Sequence, residues 1–217
     1  MRQAIAAAVA RSNREIPHYY LSTDVDLGAA LAWLEEHNRG LKITERVVPA
    51  ALLLRATALA CVRYPEFSGF YVDGAFRPGG GVHLGVAISL RGGGLVAPAV
   101  HHTDQLPLDA LMKELQALTQ RARAGTLKSS EMTDPTITVS SLGDRGVETL
   151  FGIIYPPQLA LVGFGKIVER PWIVAGRVVS APVVYVTLSA DHRATDGHRG
   201  ALLLDALDTI LQRPEDL

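Results

Sequence analysis

The order in which two periodicities appear along the chain constrains the fold most. Helical spacing of apolar residues marks residues 1–13, 27–38, 47–63 and 108–124. Strand-like runs occur at 18–25, 83–89 and 95–100, then at 136–141, 158–168, 172–174 and 178–189. A closing helix is read over 197–211. Asp73-Gly74 between apolar flanks signals a hairpin, and Gly92 to Gly94 and Gly176-Arg177 read as turns between strands. Pro107 is placed to begin the fourth helix and Gly125 to end it. Helices early and strands clustered late predict an α+β fold with one large mixed β-sheet flanked by helices. No internal repeat or linker interrupts the pattern, so residues 1–217 are expected to form a single domain.

Composition excludes several function classes. The net charge is −1, with 21 basic and 22 acidic residues in no long run of one sign, which argues against nucleic acid as a partner. Arg55 interrupts the longest apolar stretch, so no membrane span is expected. Mean hydropathy is +0.18, as a large core or a buried interface between copies would give. The single cysteine, Cys61, excludes an internal disulfide and a cysteine-rich zinc site, and its apolar helical context reads as core. The expected compartment is cytoplasmic.

Most chemically suggestive clusters are weak. Gly79 to Gly81 and Gly92 to Gly94 lack the strand–helix context of a dinucleotide loop. Gly163-Phe-Gly165-Lys166 resembles a phosphate loop only superficially, because Ile167 stands where Ser or Thr is needed. His101-His102 with Asp104 lacks a third metal ligand, so no metal is expected. Ser189-Ala-Asp-His-Arg-Ala-Thr-Asp-Gly197 differs from these, since it follows a Val/Tyr strand and precedes a helix. A strand-end His192 can be aimed into a cleft, and imidazole takes a proton near neutral pH. Asp196 can cap the helix or hold a neighbouring cation. On spacing alone, a surface loop with an incidental histidine explains the segment equally well.

Asp191-His192-Arg193-Ala-Thr-Asp196-Gly197 resembles the DHRxxDG signature of dihydrolipoamide acyltransferases, the E2 components of 2-oxoacid dehydrogenase complexes. A looser HxxxDG pattern is shared with chloramphenicol acetyltransferase. Further segments resemble the family in order along nearly the whole chain. They are Ile16-Pro-His-Tyr-Tyr-Leu21, His83-Leu-Gly-Val-Ala87 with Gly94-Leu-Val-Ala-Pro98, residues 115–127, Thr138-Val-Ser-Ser-Leu-Gly143 and Pro156 to Lys166. Ala194, Thr195, His198 and Arg199 depart from the family's usual residues.

The resemblance implies a chloramphenicol acetyltransferase-like fold and acyl transfer between the thiols of dihydrolipoamide and coenzyme A. The lipoyl group would be carried on another domain. His192 would be the general base, Ser140 the oxyanion donor and Asp196 an organiser, with Arg2, Arg193 and Gly197 structural near the site. Ser141 stands where the family has Asn, so the serine assignment has an adjacent alternative. Ser189-Ala190 resembles branched-chain members. The family forms homotrimers that build cubic or dodecahedral cores and meets E1 and E3 components through lipoyl and peripheral-subunit-binding domains, which are expected outside this chain. In the superfamily the site lies between trimer neighbours, the base from one chain and the oxyanion donor from the next. Two other classes remain open: a stand-alone O-acetyltransferase of chloramphenicol type, whose usual extra histidine is Asp191 here, and a non-catalytic core scaffold.

Overall fold

The structure, a computed structural model, describes residues 2–90, 93–143 and 146–217, and within helix α1 it leaves the side chains of Arg2 and Ala4 outside the description. The early elements are α1 (Arg2–Glu15), β1 (His18–Asp26), α2 (Gly28–His37), α3 (Pro49–Arg63), β2 (Gly69–Val72) and β3 (Ala75–Pro78). Four short strands follow: β4 (Leu84–Val86), β5 (Ile88–Ser89), β6 (Leu95–Val96) and β7 (Ala99–Val100). The rest comprises α4 (Leu108–Ala124), α5 (Ser129–Thr133), β8 (Ile137–Ser141), β9 (Ala160–Phe164), β10 (Val168–Val174), β11 (Arg177–Asp191) and α6 (Gly197–Leu211).

The main sheet runs β1-β11-β9-β8-β4-β7, with β10 paired to the first half of β11. Pairing is parallel for β4–β8 and β8–β9 and antiparallel elsewhere, so the sheet is mixed and the architecture α+β, as the order of periodicities requires. The second half of β11 lies between β1 and β9 and is buried on both faces, which is why it reads as nearly continuous apolar sequence. Helices α3 and α6 pack on each other and on the sheet. Leu52, Leu53, Ala56 and Ala60 of α3 and Leu203, Leu207 and Ile210 of α6 enter one hydrophobic cluster with Val184, Val186 and Leu188 of β11. Cys61 is buried in that cluster, and burial pushes its thiol up to about 12.

Several predicted boundaries shift. The runs 83–89 and 95–100 each divide into two strands. Backbone hydrogen bonds explain the breaks, Ala87 N–H to Val139 and Val86 N–H to the carbonyl of Pro98, which itself has no N–H to donate. The run 158–168 shortens to β9, because Lys166 N–H turns away to Val147. Residues 172–174 are the end of β10, and Ala175-Gly176 forms the turn instead of Gly176-Arg177. Pro107 is the N-cap of α4 rather than its first residue, while Gly125 ends the helix in left-handed backbone, φ 71°, as expected. Of the turn read at Gly92 to Gly94, Gly92 lies outside the described residues.

Candidate active site

The site begins where β11 ends. Asp191 N–H still bonds the Leu159 carbonyl (2.9 Å), and His192 N–H bonds the Pro17 carbonyl just before β1 (3.0 Å). The histidine backbone is thus held by two neighbouring strands while its side chain is exposed. Among the described residues, neither His192 ring nitrogen has a hydrogen-bond partner, and the Tyr19 ring stands edge-on to the imidazole, centroids 5.2 Å apart.

The histidine stands in the chain between the two members of an ion pair that is buried on its acidic side only. Asp191 is fully buried, and Arg193 donates to its carboxylate through Nε (3.0 Å) and Nη2 (2.6 Å) as well as through its own backbone N–H (2.9 Å). Hydrogen bonding to Asp191 holds the Arg193 guanidinium above its ordinary pKa. The same guanidinium lies 4.0 Å over the Tyr71 ring centroid. This clamp fixes the turn between strand and helix from inside.

Asp196 is the N-cap of α6: its carboxylate accepts from Arg199 N–H at 2.9 Å. That bond, with the nearby backbone N–H of His198 and the imidazoles of His198 and His192, keeps the carboxyl below the usual range. Gly197 opens the helix. Of the two roles open for Asp196, capping is the one seen among the described residues; the Arg2 side chain lies outside them. Arg199 ties the first turn of α6 to Glu66 and lies 5.0 Å from the Tyr64 ring centroid.

Ser140 is not brought to His192 within one chain. Ser189 of β11 aligns with Leu161 of β9, and Leu161 with Thr138 of β8. Continuing these registers by three residues puts His192 level with Gln158 and Pro135. Ser140 then stands about 16 Å farther along the sheet and about 10 Å across it, from ordinary strand rise and spacing. It is half-buried, next to Ser141, which is exposed at the strand end. The segment after it carries exposed apolar side chains: Leu142 (42%), Val147 (61%), Phe151 (49%) and Tyr155 (57%).

The His101-His102 pair acquires a third histidine that sequence spacing did not reveal. The His83 ring lies 5.0 Å from that of His101 and 4.6 Å from that of His102, because β4 and β7 are antiparallel neighbours. His101 Nε2 meets Asp134 at 3.0 Å, and His83 Nδ1 accepts His102 N–H at 3.0 Å. Among the described residues, no set of three or more His, Cys, Asp or Glu side chains converges as a metal cage. Nor is any helix among them long and apolar enough to cross a membrane.

The chain matches the family model for 2-oxoacid dehydrogenases acyltransferase (catalytic domain) over residues 1–217. It is 31% identical over 215 residues to the dihydrolipoyllysine-residue acetyltransferase component of the pyruvate dehydrogenase complex of Zymomonas mobilis, covering 99% of this chain and 49% of the relative. It is 32% identical over 222 residues to the lipoamide acyltransferase component of the branched-chain alpha-keto acid dehydrogenase complex of Pseudomonas aeruginosa, covering 100% and 51%. The chain therefore spans about half the length of these curated relatives. Among solved structures, a probable dihydrolipoamide acetyltransferase from Listeria monocytogenes superposes with a TM-score of 0.90 at 26% identity, covering 98% of this chain and 92% of that one. The cubic core of a pyruvate dehydrogenase multienzyme complex does so with 0.89 at 25%, covering 97% and 88%. Chloramphenicol acetyltransferase, at 14% identity and a TM-score of 0.62 over 94% of each chain, shares the fold. The mixed sheet, the strand-end histidine in its DHRxxDG setting and a family match along the whole chain lead to one conclusion: this chain belongs to the 2-oxoacid dehydrogenase acyltransferases, as their catalytic domain.

Proposed function

We propose that residues 1–217 act as one domain that moves an acyl group between the thiols of dihydrolipoamide and coenzyme A, as the E2 core of a 2-oxoacid dehydrogenase complex. The observation that carries this reading is the exposed His192 imidazole, free at both ring nitrogens among the described residues and set on a rigid strand end. In this reading His192 takes the proton of the attacking thiol, the sulfur adds to the thioester carbonyl, and a tetrahedral oxyanion forms. The adduct collapses by expelling the second sulfur, which receives the proton from the imidazolium, so no net proton is consumed. Ser140 donates to the oxyanion. Asp196 acts through the helix it caps, and Asp191 with Arg193 sets the turn that presents His192.

Because one chain keeps Ser140 far from His192, a working site takes the two residues from different chains. The exposed apolar segment beside Ser140 supports an assembly in which a second copy covers it. A homotrimer satisfies both, with its heterologous contact closing a ring. Further assembly into a cubic or dodecahedral shell, contact with E1 and E3 components and a cytoplasmic location complete the proposal. The acyl group proposed first is branched-chain.

The test is transfer from isobutyryl-, acetyl- and succinyl-coenzyme A to dihydrolipoamide. Activity with the isobutyryl donor leading is the expected outcome. A clear succinyl preference contradicts the acyl assignment. Absence of transfer from all three contradicts the enzyme reading.

A further inference from the structure

Thr195 places its hydroxyl between two partners. The Tyr19 phenol oxygen lies 2.9 Å from Thr195 Oγ1, and that atom lies 3.3 Å from the carbonyl oxygen of Asp191. A carbonyl only accepts, and a threonine hydroxyl has one proton. The arrangement that satisfies both contacts has Tyr19 donating to Thr195 and Thr195 donating to Asp191. That carbonyl belongs to the peptide bond entering His192. The carbonyl also accepts the N–H groups of Ala194 and Thr195, each at 3.1 Å, and the N–H of the same peptide donates to Pro17 at 3.0 Å, so the peptide is held on both sides and the Thr195 hydroxyl is anchored to a fixed group.

The other end of this hydroxyl chain also reaches His192. The Tyr19 ring, fixed at its hydroxyl by Thr195, stands 5.2 Å from the imidazole at an interplanar angle of 69°. Thr195 is buried, 8% exposed, and has no freedom to follow a moving tyrosine. Gly200 leaves room for the arrangement, since a Cβ there would meet the Tyr19 hydroxyl at 3.0 Å and Leu21 Cδ1 at 2.8 Å. With no hydrogen bond to its ring nitrogens among the described residues, the imidazole has Tyr19 as its aromatic wall.

We propose that Tyr19 and Thr195 are positioning residues for His192, the hydroxyl pair locking the tyrosine ring and the ring setting where the imidazole points. The inference rests on the reading of His192 as the base. A displacement of about 1 Å at a reacting group costs up to roughly 100-fold in rate, so a swing of the imidazole is visible in kcat.

The partners are unequal, which makes the test specific. Tyr19→Phe leaves Thr195 its bond to Asp191. Thr195→Val leaves the half-buried Tyr19 hydroxyl without a partner, so the ring turns toward water and leaves the imidazole. Acyl transfer is measured for Thr195→Val, Tyr19→Phe, the double variant, Tyr19→Leu and His192→Ala, with trimer content and melting temperature as controls. Thr195→Val is expected to lower kcat on the order of tenfold with KM little changed. Tyr19→Phe alone should lose less. The double variant, with no hydroxyl left to seek a partner, should return close to Tyr19→Phe. Tyr19→Leu, lacking the ring, should lose as much as Thr195→Val, and adding Thr195→Val should not rescue it. Should the larger changes unfold the protein, Tyr19→Phe against Thr195→Ser decides, the latter keeping full kcat. Unchanged kcat in Thr195→Val and Tyr19→Leu beside an inactive His192→Ala overturns the positioning role and leaves the base assignment standing. Full activity in His192→Ala overturns both.

Discussion

At the scale of the residue, the proposed chemistry depends on one exposed imidazole and on the groups that hold its backbone. His192→Ala is expected to keep the fold and to cut acyl transfer by about 10²–10⁴, the usual worth of a general base. Ser140→Ala should lower kcat by roughly 10²–10³ with KM little changed, as for one lost oxyanion donor, and a larger loss in Ser141→Ala would move the donor by one residue. The Asp191–Arg193 pair predicts an asymmetry. Arg193→Ala leaves a carboxylate of zero exposure without its main partner and should destabilise the domain by about 2–4 kcal/mol, kept at the low end because Arg193 is itself 32% exposed. Asp191→Ala leaves the arginine able to turn to water and should cost distinctly less; chemical denaturation of both variants measures the difference. In the sequence His192, Asp196 and Gly197 stand out through their resemblance to a family signature, and the flanking periodicities place them between a strand and a helix, as observed. Asp191 belongs to the same signature, but its burial was not legible, since a charged residue before a loop reads as solvated. Tyr19 was hidden for another reason: its partner Thr195 is 176 residues away and meets it only because β1 pairs with β11.

At the scale of the element, the long patterns held, and so did the Asp73-Gly74 hairpin and the strand read at 136–141, while other short runs divided or shifted. The helices α3, α4 and α6 and the strand β11 carry enough turns or alternations to declare themselves. The five-residue α5 is too short for a helical period and was not foreseen; it is held by Glu131, which accepts from Lys128 N–H (2.7 Å) and from Arg121 (2.6 Å). In the sequence the edge formed by β4 and β7 reads as longer strands, and its histidine cluster as a pair. That cluster gives a pH prediction. Burial, with the neighbouring His102 and His101, holds His83 below its ordinary 6.5, against the opposing charges of Asp134 and Asp104. Its Nδ1 must also stay unprotonated to accept His102 N–H. The unfolded chain therefore binds the proton more readily. Stability should be fully present above pH 6.5 and decline as pH falls from there through the lower folded value. Denaturant titrations of the wild type and of His83→Gln check this: the variant should have a flatter dependence between the two values, and an identical slope would remove His83 from the account.

At the scale of the whole molecule, the sheet separates the two groups that the proposed chemistry needs together. Strand direction forces this. β11 runs antiparallel to β9 and β8, so the ends carrying His192 and Ser140 point to opposite edges. Sequence motifs gave the residues but no distance between them. The hairpin of β10 and β11 also projects apolar side chains, Ile173 at 72% and Val178 at 74% exposure, which the proposed assembly would have available for contact between copies. The direct measurement is subunit mixing. His192→Ala and Ser140→Ala proteins, each nearly inactive, are unfolded together in equal amounts and refolded. If the site is shared between neighbours, about one site in four combines an intact His192 with an intact Ser140 by random mixing around a closed ring, and activity returns to about a quarter of wild type. Activity no higher than that of either parent would mean that every site keeps a lesion, and would contradict a base and an oxyanion donor drawn from different chains.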